Sequence, residues 1–434
     1  MALSPVVDLA RDLMRLDTTN PPGKEHLAVE VIERLLSTAG IESARYENAP
    51  GRPNLIARVR GRGEAPPLLL QGHVDVVTTA GQEWKHPPFG GEVVDGYLWG
   101  RGALDMKGGV AMMVTAAVRA AAAGGAPGDL VLAVLADEEA GGIHGARWLV
   151  EKHADLFRDV RHAIGESGGV AQHLGGRRFY PIMVSEKRGC QMVATLRGAG
   201  GHGSIPAHGG AMAKLGEFLT KLDHARLPVH ITPPVKGELE AMRDALDGDL
   251  RSQVEALLDP STTDRALDEL GPLKGHLDGA LHNTVNATIV SGGVKVNVIP
   301  SEVRVQLDGR LLPGYGPDDM LRELRAVVGP DPQLEVVLVG PAQPEVDLGQ
   351  FELFAEVLRD ADPGCVPIPY LVTGGTDARH FARLGILTYG FLPLNNPADF
   401  EAAGTIHAAD ERVPVSALEF GAECVYQALM RYRG

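Results

Sequence analysis

The chain has 434 residues, enough for two domains or for one domain interrupted by another. It is 44% hydrophobic and 22% charged, an ordinary globular composition, with a formal net charge of −15. That charge argues against nucleic acid and anionic membranes as partners, because no basic surplus exists to neutralise phosphates.

Apolar residues at helical spacing predict helices over residues 4–17 and 25–39, separated by the breaker TTNPPG. The N-terminal stretch has neither a basic start nor an unbroken apolar core, so it does not read as a signal peptide. NLIARVRG and PLLLQGHVDVV read as strands, and residues 110–123 as a helix after Gly108-Gly109. DLVLAVLAD reads as a fully apolar strand, GARWLVEKH as a helix and HAIGE as a short strand. The most apolar helix, VAMMVTAAVRAAAA, is short and contains Arg119, so no membrane span is expected. Alternating strands and helices imply an α/β sheet covered on both faces.

The pattern changes after SEKRG (185–189). QMVATLR, a helix over AMAKLGEFLTKL, the strands TVNATIVSG and EVRVQLDGRLL, a helix over DDMLRELRAVV and the strand QLEVVLVG follow in the order βαββαβ, a self-contained ferredoxin-like unit. A polar, acidic, helix-prone insertion interrupts it at about residues 224–282, and α/β alternation resumes near 345. The expected organisation is a discontinuous domain over 1–188 and 342–434 with a smaller domain over 189–341 inserted into it. The three cysteines, Cys190, Cys365 and Cys424, form no CxxC pair, so a disulfide framework and a thiolate zinc site are not indicated and a reducing cytoplasm is expected. GAGGHG (198–203) matches GxGxxG, but Pro206 follows at once and leaves no helix to receive a pyrophosphate.

Polar groups recur where apolar segments end. His73 and Asp75 lie two apart at the end of a strand and so share a face. Asp105 precedes a glycine pair and a helix, Glu138 and Glu139 follow the most apolar strand, Glu166 follows HAIG, and His407 lies near the C-terminus. Singly, each reads as well as a helix cap, a core histidine or a solvated loop acid. Together they point to the carboxyl ends of strands in an open α/β sheet, where sites gather. With His73, Asp105, Glu139, Glu166 and His407 as ligands, three carboxylates and a bridging hydroxide balance two divalent ions. Nitrogen and oxygen donors without thiolate suit zinc, with cobalt or manganese as substitutes. Asp105 is the choice for the bridge, and Glu138 is left free to act as a base.

Taken in order, GHVDVV, GRGALDMKGG, DEEAGG, SEKRG, GGHGSIP, GGVKVNVIP, GGTDARHF and IHAADERV resemble the M20 family of metallopeptidases over nearly the whole chain. These are the relatives of aminoacylase, carboxypeptidase G2 and succinyl-diaminopimelate desuccinylase, and the likeness is nearest to the carboxypeptidase S and N-acyl amino acid hydrolase branch. The resemblance implies a zinc-peptidase-like catalytic domain with an inserted ferredoxin-like lid. It implies hydrolysis of an amide bond in a peptide or N-acyl amino acid by metal-activated water, with deacylation of N-succinyl-diaminopimelate or N-acetylornithine as the alternative. In that pattern His73 and Glu166 hold one metal, Glu139 and His407 the other, and Asp105 bridges. Asp75 orients His73, and Glu138 is the general base. His202 stabilises the oxyanion, in dimeric members from the partner's lid. Asn297, Arg310 and, more weakly, Arg379 bind substrate. A homodimer through the lid is implied, with the long insertion bearing on that surface, and hinges are expected near 187–190 and 340–346. A catalytically silent binding protein on the same scaffold would be expected to lack metal ligands.

Overall fold

The computed structural model describes residues 3–271, 274–342 and 344–434. The first two residues, a two-residue stretch of the expected insertion and one position of the expected second hinge lie outside the described residues. At the centre is a nine-stranded mixed sheet. Its middle is three neighbouring parallel strands, Leu130–Leu135, Leu68–His73 and His162–Gly165. Every residue of the three is buried. Successive residues serve opposite faces, which is why these strands are apolar throughout rather than alternating. Leu68, Leu70, Leu130, Leu132 and Val134 enter one core, while Leu69, Val131, Ala133 and Leu135 enter the other. The first core is covered by Pro5–Met14, His26–Thr38, Lys107–Ala122, Phe351–Ala361 and Val415–Arg431, the second by Ala146–Lys152 and Ala378–Phe381.

Two expectations change in detail. The strand expected over 67–77 stops at His73, so Asp75 lies just beyond it. The ten-residue strand Arg177–Glu186, which pairs with Val366–Val372 and Leu387–Gly390, was not anticipated. It opens on two arginines and carries Pro181, a residue that argues against an interior strand.

A second, separate sheet is antiparallel throughout, in the spatial order Thr284–Gly292, Glu302–Leu311, Arg188–Arg197, Gln333–Val339. Numbered along the chain this is 2-3-1-4, the ferredoxin-like arrangement anticipated from the βαββαβ order. Helices Ala211–Asp223 and Pro317–Val328 pack on Cys190, Met192, Ala194 and Leu196, which share one face of it. The helix after GAGGHG begins only at Ala211, eight residues beyond that stretch, so the glycines do not open a helix directly.

The insertion forms four helices among the described residues, Pro233–Ala245, Gly248–Leu257, Thr263–Glu269 and Lys274–Leu281. It does not ride on the small sheet alone. Val235, Leu239, Met242 and Leu246 form one helical stripe, and this stripe shares a core with Phe179, Ile368 and Leu371 of the large sheet. The approach is close at Gly237, where a Cβ would lie 2.9 Å from Pro369 Cγ. Gly237→Val should therefore lift the insertion from the strand Val366–Val372. Limited trypsinolysis is expected to cut between Arg243 and Arg265 several-fold faster than in the parent, and an unchanged cutting rate would mean that this contact does not hold the insertion down.

Candidate metal centre

Because Leu130–Leu135, Leu68–His73 and His162–Gly165 are adjacent and parallel, their carboxyl ends open at one place. His73 is the last residue of its strand, Glu138–Ala140 forms a short 3-10 turn after Leu130–Leu135, and Glu166 follows His162–Gly165. Asp105 arrives from the loop before Lys107–Ala122, and His407 from the loop before Arg412–Pro414.

The two oxygens of Asp105 face two different histidines. Oδ1 lies 3.1 Å from His73 Nε2 and Oδ2 lies 3.0 Å from His407 Nε2. Glu166 Oε2 is 3.8 Å from His73 Nε2, and Glu139 Oε1 is 3.3 Å from His407 Nε2. His73, Asp105 and Glu139 each offer a ligand atom within 4.8 Å of the others, and so do His73, Glu138 and Glu166. Two donors that share one tetrahedral ion at about 2.0–2.1 Å lie about 3.3 Å apart, so these separations suit ligands around small dications. Glu139 Oε1 is buried and makes no hydrogen bond, a vacancy in donors that a cation suits. Glu138 is thus also within reach of a ligand role.

Asp75 does more than orient an imidazole. His73 Nδ1 lies 3.0 Å from the Asp75 carbonyl and 3.5 Å from its carboxylate. That carboxylate accepts the backbone N–H groups of Glu138 and Glu139, each at 3.2 Å, and the Asn20 side-chain amide at 2.8 Å. It therefore fixes the turn that carries both glutamates. Asn20 also donates to Asp137, which pairs in turn with Arg52 at 2.8 Å. Arg379 Nη2 sits 3.4 Å from Glu138 Oε1.

His202, Asn297 and Arg310 lie elsewhere. His202 is exposed on a two-residue strand paired with Val298–Ile299, and its Nδ1 lies 2.7 Å from the Ser204 hydroxyl. Asn297 is exposed in the adjoining turn, where its carbonyl accepts from Gly203 N–H. Arg310, on the small sheet, pairs with Asp308 at 3.1 Å. Among the described residues no contact joins these three to the carboxylate cluster. Asn20, Gln82, Arg101 and Glu411 were not singled out from the sequence, although Arg101 and Glu411 fall inside the quoted motifs GRGALDMKGG and IHAADERV.

The cluster is short of positive charge. Burial, then the neighbouring Glu166 and Asp377, push the Glu138 carboxyl up to about 9. Burial also raises Glu139, to about 7. Burial alone would lower His73, but its bonds to Asp105, Asp75 and Glu166 outweigh this and carry it well above the usual value. His407 is raised, chiefly by its bond to Asp105. Protons thus stand in for cations around these carboxylates.

The chain belongs to the peptidase family M20/M25/M40: the family's model matches residues 69–431, a span that includes all five candidate ligands. It is a metallohydrolase of amide bonds. Succinyl-diaminopimelate desuccinylase of Cereibacter sphaeroides is 28% identical to it over 440 residues, covering 99% of each chain. An N-fatty-acyl-amino acid synthase/hydrolase of Xenopus tropicalis is 26% identical, with 81% of this chain and 70% of its own covered. An M20 family metallo-carboxypeptidase of Sulfolobus solfataricus shares the fold with a TM-score of 0.71 at 17% identity, over 99% of this chain and 100% of its own.

The raised groups set a pH dependence. Carboxyls with folded pKa values above their unfolded ones stabilise the fold fully below the unfolded value, and that stability is lost as pH rises through the folded value. For Glu139 and Glu138 the window runs from about 4.5 upward to about 7 and about 9. His73 acts in the same direction above its ordinary value. With chelator present, the melting temperature should fall from pH 5 to 7, below the range in which the lowered Lys107 and Lys187 act in the opposite direction. Added zinc should flatten that decline, and a flat profile in chelator would contradict the charge deficit.

Proposed function

We propose that the protein hydrolyses the amide bond of a small peptide or N-acyl amino acid at a pair of divalent ions, zinc by donor type, with cobalt or manganese able to substitute. The observation that carries this reading is the Asp105 carboxylate, whose two oxygens face His73 and His407 separately. His73 and Glu166 would hold one ion, Glu139 and His407 the other, and Asp105 both. When bound, the ions supply Lewis acidity and lower the pKa of nearby water toward neutrality. Glu138 takes a proton from the attacking water and delivers it to the leaving nitrogen. Arg379, beside that base, would hold a substrate carboxylate, and Arg310 and Asn297 would join it from the inserted domain when residues 189–341 close as a lid on hinges near 187–190 and 340–346. The three cysteines are free and buried, which suits a reducing cytoplasm.

Two readings of the substrate remain distinct. The end-to-end similarity to a succinyl-diaminopimelate desuccinylase favours deacylation of a biosynthetic intermediate such as N-succinyl-diaminopimelate or N-acetylornithine as the second. Assay of N-acyl amino acids, dipeptides and N-succinyl-diaminopimelate on metal-reconstituted protein separates the two. Glu138→Gln is expected to keep two metal equivalents and lose about 10²–10⁴ in kcat. An active variant would remove Glu138 as the base, and a parent that binds metal yet hydrolyses none of these would favour a silent scaffold.

We also infer a homodimer through the small sheet. Its outer strand Thr284–Gly292 pairs on one side only, and Ile289 and Val290 are about half exposed. The following turn leaves Val294 and Val296 fully open, at 96% and 101% exposure. The insertion faces the first half of this strand, its residues Asp264, Asp268, Lys274 and Asp278 lining one cavity with residues 284–287. An apolar edge of this kind invites pairing with a second copy, which would also carry His202 toward the neighbour's centre as an oxyanion donor. Ile289→Lys should convert dimer to monomer in light scattering and lower kcat by about 10²–10³, the scale of one lost oxyanion donor. A fully active monomer would assign His202 to its own chain's site.

A further inference from the structure

The two halves of the centre are held in different ways. His73 and Glu166 sit at the ends of central strands, fixed by the sheet itself. His407 sits on a loop, with its side chain half exposed, and its φ of +62° lies in the left-handed region that residues with a Cβ seldom adopt. The position of that imidazole therefore depends on whatever holds the loop backbone.

A closed chain of hydrogen bonds does so. Glu411, fully buried, accepts the backbone N–H groups of Leu104 at 2.8 Å and Asp105 at 3.1 Å on one oxygen. Its other oxygen accepts Gly102 N–H at 3.0 Å and the Arg101 guanidinium at 2.5 Å. Arg101 then donates from Nη2 to the Ala408 carbonyl at 3.1 Å and to Gln82 Oε1 at 2.9 Å. Gln82 Oε1 also accepts the Trp84 indole N–H at 3.2 Å, so its orientation is set and its Nε2 is left to donate to the His407 carbonyl at 2.9 Å. The circuit runs from the backbone of Asp105 to the backbone of His407 without passing through either side chain.

We propose that Gln82 is a positioning residue: with Arg101 and Glu411 it locks the His407 loop to the Asp105 loop and so sets the affinity of the half-site formed by Glu139 and His407, leaving the His73–Glu166 half unaffected. The inference rests on the dinuclear reading above. Gln82 is the informative member, because it is partly exposed and its removal leaves the buried Arg101–Glu411 pair intact. Bonds of this kind behind a ligand are worth about 10–100-fold in metal affinity.

The test is a cobalt(II) titration of metal-free parent, Gln82→Ala and Gln82→Glu, followed by visible absorption and calorimetry, with the melting temperature of each metal-free protein measured alongside. Gln82→Glu keeps an oxygen for Arg101 but replaces the N–H donated to His407 with a charged oxygen that repels its carbonyl, and Gln82→Ala removes the bond without adding charge. The parent is expected to take up two equivalents. In both variants the first should bind as in the parent and the second about 10–100-fold more weakly, with the metal-free melting temperature unchanged. A second step as tight as the parent's in Gln82→Glu overturns the proposal. Equal weakening of both steps, or weakening that accompanies a fall in melting temperature, also overturns it, since either marks a general loss of structure. A parent that binds fewer than two cobalt ions removes the dinuclear reading itself, whereas two tight sites in every protein remove only the role of Gln82.

Discussion

Uncompensated negative charge at the carboxyl ends of three parallel strands is the constraint around which the rest of the centre is arranged. Several of the deeper acids meet donors from the protein, Asp377 being an exception with both oxygens unbonded. Asp75 is satisfied by Asn20 and two backbone N–H groups, Asp137 and Glu25 by Arg52, and Glu411 by Arg101 and three backbone N–H groups. At the mouth the supply stops. Asp105, Glu138, Glu139 and Glu166 have between them two histidines and one guanidinium at 3.4 Å. Four carboxylates this close together, with so few cationic partners, suit a further source of positive charge.

Part of this was legible in the sequence because burial writes a plain signal. LLLQGH, LVLAVLADEE and HAIGE are apolar runs that stop abruptly at ionisable residues, and a strand buried on both faces has no other reason to do so. Asp105 and His407 carry no such mark. They stand in loops, where an acid or a histidine is commonplace, and only their company in ordered motifs singled them out. Asn20, Gln82 and Arg101 were illegible for the same physical reason. Each acts through side-chain bonds to residues about 20 to more than 300 positions away, and no local periodicity encodes those. The insertion falls between these cases: the spacing of Val235, Leu239, Met242 and Leu246 marks an amphipathic helix, but nothing in that spacing names Phe179 and Ile368 as its partners.

The junction between the two sheets explains how units so distinct remain coupled. Lys187 is buried, and burial lowers its ammonium to about 7, yet it donates to the carbonyls of Gly279 and His282 and to the Thr284 hydroxyl. It thereby fastens the end of the insertion to the start of the small sheet. Its neighbour Glu186 accepts the backbone N–H and hydroxyl of Thr376, just before the helix Ala378–Phe381 that carries Arg379. Two consecutive residues thus touch the insertion, the small sheet and the segment leading to the helix beside the base.

This division bears on why similar chains act on different amides. The acids, histidines and base that would perform hydrolysis stand on the large sheet and its loops, whereas Arg310 stands on the small sheet and His202 and Asn297 on the two-stranded ribbon beside Val298–Ile299, with no hydrogen bond or ion pair to them among the described residues. Chemistry held by strand ends tolerates little displacement, since a donor moved by an ångström no longer meets its ion or its proton. Residues that grip the distal part of a substrate can change on the small sheet without disturbing that geometry. A desuccinylase, a fatty-acyl amino acid hydrolase and a metallo-carboxypeptidase each resemble this chain along most of its length, and on the reading proposed above the residues that separate substrates would lie away from the strand ends.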